Sequence, residues 1–461
     1  MKITKSSKIL MSYFLENNCI QYSPKTAHAD KSSELIVGTL YEELKEADHF
    51  VQSLKTKEKG KEKDKNKKKD NDDDFYQLKI TKIVSSTQIP KPQMFNAASF
   101  PKEIREQIDE HATYDLCYTF SLLTRQIEIH FILEETETSI ADLNIAQYNE
   151  YIDKILVWLY IVDDYASKLC SEKLTVFIYF TSLNKVLPST SISILNQNNV
   201  NTAFTYTCPK VSEIIVYRKE EWFKVFMHET FHNFALDFSD MNTEACNQRI
   251  LSVFKVESDV NLFEAYTEFW AKMWNAGFSS YYLREHKKDN DGNNGNNGKK
   301  EFLTNFDFFI QCERTFGFFQ MVKALDFMGL KYADLYSKNA QSESMRDTLY
   351  KEQTNVLAYY IITTILINNY QGFLIWCDNN NTSLIQFKKT TSNLNSFCTF
   401  IEKNYKTKPM IQGVECAQLT LRDLNKHKTS TTMTSTSTST LKKKDRDYLL
   451  KNMRMSINEL G

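Results

Sequence analysis

Glycine and proline are scarce, at 11 and 7 of 461 residues, which argues against a turn-rich all-β protein and against a fully disordered chain. Net charge is lacking too. Lys and Arg number 57 against 58 Asp and Glu, so no global charge attracts nucleic acid or an anionic membrane surface. The longest apolar run, Val356 to Ile367, has about 12 residues where a spanning helix needs roughly 20, so it is expected to be a core helix. The nine cysteines are scattered with no CxxC pair. Neither a disulfide framework nor a cysteine zinc site is expected, and the chain reads as one made in a reducing compartment. Near the N-terminus Lys2 and Lys5 precede Ile9, Leu10 and Met11, but Ser12 and then Glu16 to Asn18 cut the apolar run short. No signal peptide is expected there, and an intracellular protein is.

Core material is abundant: 42% of residues are hydrophobic and 13% aromatic, enough for two or three domains. Polar stretches punctuate it. Residues 55–75 are dominated by Lys, Glu and Asp and read as a disordered linker, and residues 287–300 read as a low-complexity loop insertion. Residues 417–461 read as a Ser/Thr-rich and charged tail. These markers leave an N-terminal segment (1–54), a central body (76–286) and a helical C-terminal subdomain (301–416). Alternation predicts a strand over Arg125 to Leu133, and β-branched or aromatic runs predict others over Leu174 to Phe180, Val200 to Thr207 and Glu213 to Tyr217. Helical spacing follows over Tyr148 to Leu169, Glu220 to about Asp237, Asn261 to Asn275, Phe302 to Met328, Leu349 to Trp376 and Leu394 to Tyr405. The expectation is an α+β fold: a small twisted mixed sheet, then a functional helix and a mostly helical C-terminal half.

Chemistry concentrates in Val225-Phe226-Met227-His228-Glu229-Thr230-Phe231-His232, which contains HExxH. Residues four apart share a helix face, so His228 and His232 can reach one metal ion. Zinc accepts neutral imidazole nitrogen, and a catalytic site keeps one position open for water. Glu229, turned about 100° from His228, is positioned to act as general base on that water. Trp222, Phe223, Phe226, Phe231 and Phe234 surround the motif and predict a buried helix. The competing reading is a solvated stripe of Glu221, Lys224, His228 and His232 on an amphipathic helix.

Two histidines do not complete a site. Phe238 stands where HExxHxxGxxH requires a third His, and Ala235 replaces its Gly. Further on, Phe263-Glu264-Ala265-Tyr266-Thr267-Glu268-Phe269-Trp270-Ala271 puts two carboxylates at i and i+4. This pattern, after HExxH, resembles the gluzincins, zinc peptidases that take a third ligand from a glutamate on a later helix. The chain is also similar to predicted metallopeptidases encoded by large DNA viruses. The resemblance covers roughly Asn199 to Asn275. It implies a zincin-like fold with an edge strand lining the cleft (Val200 to Thr205), Glu264 as third zinc ligand and Glu268 as a carboxylate orienting a ligating His. It further implies a peptide or protein substrate and a cytoplasmic or virion location. If Glu264 and Glu268 instead form an exposed stripe with Lys272, then Asp237, Asp240 or Glu244 becomes the ligand candidate. A catalytically inactive zincin fold, retained as a binding or virion scaffold protein, is the alternative function.

Other features are weaker. Tyr206, Tyr266, Tyr359 and Tyr360 are candidate oxyanion donors among 24 tyrosines, and the sequence does not choose between them. His130 falls on the opposite strand face from Ile127, Ile129 and Phe131 and, lacking any partner motif, is expected to be a rim or exposed residue rather than a ligand. Lys55 to Lys69 reads as a solvated linker, and no nucleic acid is expected.

Overall fold

The computed structural model describes residues 2–17, 19, 31–61, 75–134, 139–285, 295–429 and 442–461. Most of the charged tract, the Asn/Gly run up to residue 294 and the Ser/Thr tract lie outside the described residues. The chain divides into two compact units that do not follow chain order. One comprises Gly38–Asn184 and Thr202–Ser239; the other comprises Lys2–Val37, Lys185–Asn201 and Asp240–Gly461.

The first unit is mixed α/β. Its strands are β1 (Gln77–Lys82), β2 (Tyr114–Leu122), β3 (Arg125–Leu133), β4 (Lys173–Tyr179), β5 (Ala203–Thr205) and β6 (Val211–Val216). They form one sheet in the order β1-β2-β3-β4-β6-β5. β3, β4 and β6 run parallel, and the remaining pairs are antiparallel. The alternation seen in the sequence becomes two covered faces, because successive side chains point to opposite sides of a strand. Ile127, Ile129 and Phe131 lie on one face, packed against helices α2 (Ile145–Tyr165) and α3 (Trp222–Asn233), where Trp222 sits 6.1 Å from Phe131 and 4.9 Å from Tyr151. Ile132, Phe177, Tyr179 and Ile215 lie on the other, under Ile104 and Ile108 of α1 (Lys102–His111). β1, β2 and α1 have no counterpart in the sequence reading, and they complete the sheet and its second cover.

One cysteine expectation is corrected. Cys170 and Cys208 are disulfide-bonded, joining the entry to β4 with the turn between β5 and β6, while seven cysteines are free. The bond closes a loop of sequence separation 38, worth about 4 kcal/mol in the loop-entropy account. Scattered spacing had hidden the pair, because strand order rather than sequence brings the two residues together. With a bonded pair, cysteine usage no longer argues for a reducing compartment.

The second unit is helical among its described residues. Its longest elements are α4 (Leu262–Glu285) and α5 (Gly295–Phe327). α5 begins inside the expected loop insertion. Helix Lys31–Lys61, which from Gly38 belongs to the first unit, runs into the expected linker, because Lys and Glu propagate a helix already anchored on a core. Val356 to Ile367 is buried as expected, and no helix among the described residues is long and apolar enough to cross a membrane. The C-terminal tail is corrected as well. After helix Lys443–Lys451 the chain continues without regular structure, bending at Met455 and Ile457, with Asn452, Arg454, Ser456 and Asn458 each 0% exposed. Backbone and hydroxyl groups are met from within: Lys323 Nζ donates to the Asn452 carbonyl (2.5 Å), Ser456 Oγ to Glu313 (2.5 Å) and Asn275 Nδ2 to the Asn458 carbonyl (2.9 Å). Ile3 pairs antiparallel with Leu460.

Burial also sets a pH dependence. Glu352 is pushed up to about 7 by desolvation, only partly offset by hydrogen bonds from Ser258 and the Leu357 and Val356 amides. Its unfolded counterpart ionises first, so stability falls as pH rises from the ordinary glutamate value through 7. The loss is on the order of 3 kcal/mol. Urea denaturation at several pH values should show that decline, and Glu352→Gln should reduce it, leaving the share of Glu43, which burial also pushes up to about 7.

Candidate metal centre

α3 is buried along its whole length, with Lys224 at 3%, His228 at 5% and His232 at 8% exposure, so the solvated-stripe reading does not hold. Aromatic packing and polar anchors fix its rotation. Phe231 stacks on Trp158 (6.1 Å), and the Trp158 indole donates to Thr230 Oγ1 (2.8 Å). At the C-terminal end Asn233 accepts from Ser171 and donates to Thr205 Oγ1 on the edge strand β5 (2.9 Å). Helix and edge strand are therefore joined directly.

This anchoring makes the two imidazoles converge. His228 Nε2 and His232 Nε2 stand 3.2 Å apart. Two nitrogens bound at 2.0–2.1 Å to a tetrahedral zinc would stand about 3.3 Å apart, so the pair fits a common ion. The tautomer is set from behind. His232 Nδ1 donates to Asp237 Oδ2, a carboxylate 0% exposed, whose other oxygen accepts from the Ser239 amide (3.1 Å) and hydroxyl (2.8 Å). With its proton held at Nδ1, His232 presents a lone pair at Nε2. Asp237, a reserve ligand in the sequence reading, thus takes at His232 the orienting part expected of Glu268.

A local turn delivers Asp237. α3 closes with the Leu236 amide donating to the Phe231 carbonyl (2.9 Å) and Ala235 in the left-handed region at φ 54°. This is a Schellman-type stop, which favours glycine. Here the absent Gly of the motif leaves a conformational signature. Ala235→Gly should relieve the left-handed strain and stabilise the protein by about 1 kcal/mol, read as a raised melting temperature.

Glu229 is 6% exposed. Its charge lies close enough to Tyr217 to contribute, behind burial and against the Arg218 guanidinium, to pushing that phenol's pKa up.

The remaining ligand candidates belong to the second unit. Glu264, in the first turn of α4, is half-buried; its carboxylate accepts from Tyr359 Oη (2.8 Å) and from Asn355 Nδ2 (3.3 Å). Tyr359 lies in a π-helical turn (Leu357–Ile362), where Thr363 Oγ1 donates to the Ala358 carbonyl (2.9 Å). Glu268 and Lys272 are 1% and 3% exposed, so the alternative of an exposed stripe does not hold. Asp240 pairs with Lys389 (2.8 Å), and Glu244 is exposed at the start of helix Glu244–Val253. Of the candidate oxyanion donors, Tyr360 and Tyr266 give their hydroxyls to the Met453 and Ile385 carbonyls, whereas Tyr206, in the first unit, is 50% exposed.

His130 differs from expectation. It is buried on β3, with Nδ1 bonded to Asp115 (3.0 Å). This partner comes from β2, a strand the sequence reading had not placed.

The chain matches no protein-family model, no curated protein and no solved structure.

Proposed function

We propose that this chain is a zinc-dependent metallopeptidase of gluzincin type. The observation that carries the reading is the His228–His232 pair, two Nε2 atoms 3.2 Å apart on a buried helix with Asp237 behind one ring. Two ring nitrogens at this distance share either a proton or a metal ion. Glu264 is taken as the third ligand from the ExxxE resemblance, and Tyr359 and Asn355 hold its carboxylate within its own unit. Zinc, when bound, polarises a carbonyl and lowers the pKa of water. Glu229 takes a proton onto its carboxylate as water attacks and returns it to the leaving amine. β5, the terminal strand beside α3, offers an edge on which an extended peptide can add as a further strand.

The test is cleavage of a complex peptide library, read by mass spectrometry. Expected is a set of new termini that disappears with a chelator and returns with added zinc. Chelator-resistant cleavage would contradict the metal mechanism. Absence of cleavage by zinc-loaded protein would favour the inactive scaffold.

A further inference from the structure

A second group of metal-ligating side chains lies in the first unit, on the sheet face opposite α3. The register builds it. Cys117 on β2 is the direct cross-strand partner of His130 on β3. Asp115 and Glu128 each lie two residues earlier on their own strand, so all four side chains share one face. His130 Nε2 is 2.9 Å from Glu128 Oε1 and 4.0 Å from Cys117 Sγ, and Nδ1 is 3.0 Å from Asp115 Oδ1. The ring lies flat on Phe177, its partner on β4, at 5.1 Å and 7°.

We infer that Cys117, Glu128 and His130 form a second binding site for a zinc-like divalent transition metal, with Asp115 as the positioning carboxylate. One ligand atom from each of the three residues lies within 4.8 Å of the others. Thiolate, imidazole and carboxylate together suit zinc or cobalt better than calcium or magnesium, which want oxygen alone. Asp115 on Nδ1 leaves Nε2 as the ligating atom, in the carboxylate–histidine–metal order found behind ligating histidines. Phe177 fixes the ring plane. Cys117 and Glu128 are half-buried, which leaves the ion an entry path. Lys79, opposite Cys117 on β1, is exposed and free to turn to solvent. The competitor is a proton: burial opposes the imidazolium, but Asp115 and Cys117 push His130 up to about 10 in the absence of an ion. Metal binding must release protons from Nε2 and Sγ, leaving the thiolate as ligand.

Cobalt(II) is the probe, because thiolate ligation gives a near-ultraviolet charge-transfer band that a site of histidine and carboxylate cannot give. Metal-free full-length protein titrated with cobalt should develop this band in full by two equivalents per chain, because the His228–His232 centre also takes the ion. The band should persist in His232→Ala and vanish in Cys117→Ser. Asp115→Asn should weaken cobalt affinity 10- to 100-fold, while Glu128→Gln, at a half-exposed position that spares the fold, should weaken it at least about tenfold. No band in the parent at saturating cobalt, or an equal band in folded Cys117→Ser, would overturn the site. Because the band reports the thiolate alone, its outcome is independent of whether the chain is a peptidase.

Discussion

Glu229→Gln should keep the metal and lose the reaction. Gln matches Glu in size, so the packing of α3 and the 3.2 Å approach of His228 to His232 should survive. What disappears is a base able to accept a proton from attacking water. General-base catalysis contributes about 10²–10⁴-fold, so the rate of peptide cleavage should fall by at least that factor. Zinc content and cleavage rate measured on one preparation separate the two effects. A variant with the parent's activity would remove Glu229 from the mechanism, whereas a variant without zinc would give it a structural part.

Arg454→Ala should destabilise the protein by about 3–5 kcal/mol, the range for removing one partner of a buried ion pair. Arg454 is 0% exposed, with Nη1 3.3 Å from Glu459 and Nη2 donating to Ser7 Oγ (3.2 Å). Its loss takes the guanidinium charge from beside the Glu459 carboxylate, which is 13% exposed and still accepts from Thr4 Oγ1 (2.8 Å), and opens a cavity where the C-terminal segment meets the N-terminal helix Lys5–Glu16. Urea denaturation should show a lower midpoint. A midpoint within about 0.5 kcal/mol of the parent would mean that the buried segment is held by its other contacts alone.

What the sequence made legible was local. HExxH on an aromatic-rich stretch specified α3 and its burial, and alternation located β3 to the residue. The edge strand was found, though shortened to Ala203–Thr205, because a strand ends where pairing ends. What stayed hidden was non-local. Asp237 was visible as an acidic residue after the motif, but its task depends on the left-handed turn at Ala235. The Cys117–His130 pairing depends on the β2–β3 register, and β2 reads as no clear strand because Asp115, Cys117, Thr119 and Ser121 sit on its less apolar face. Cys170–Cys208 likewise follows from the order of β4, β6 and β5. The buried C-terminal segment misled for another reason. Its Asn452, Arg454, Ser456 and Asn458 look like surface residues until Gln320, Lys323 and Glu313 are seen to bond the Arg454 carbonyl, the Asn452 carbonyl, and the Ser456 hydroxyl and Asn458 amide.

The central claim is that His228 and His232 hold zinc. Elemental analysis of the full-length protein beside His228→Ala/His232→Ala, both verified as folded by circular dichroism, addresses it directly. The variant is expected to carry about one zinc per chain less than the parent, a difference unaffected by any metal at Cys117 and His130. Equal zinc in the two proteins, or none in a parent purified without chelators, would contradict the metal centre and the peptidase reading built on it.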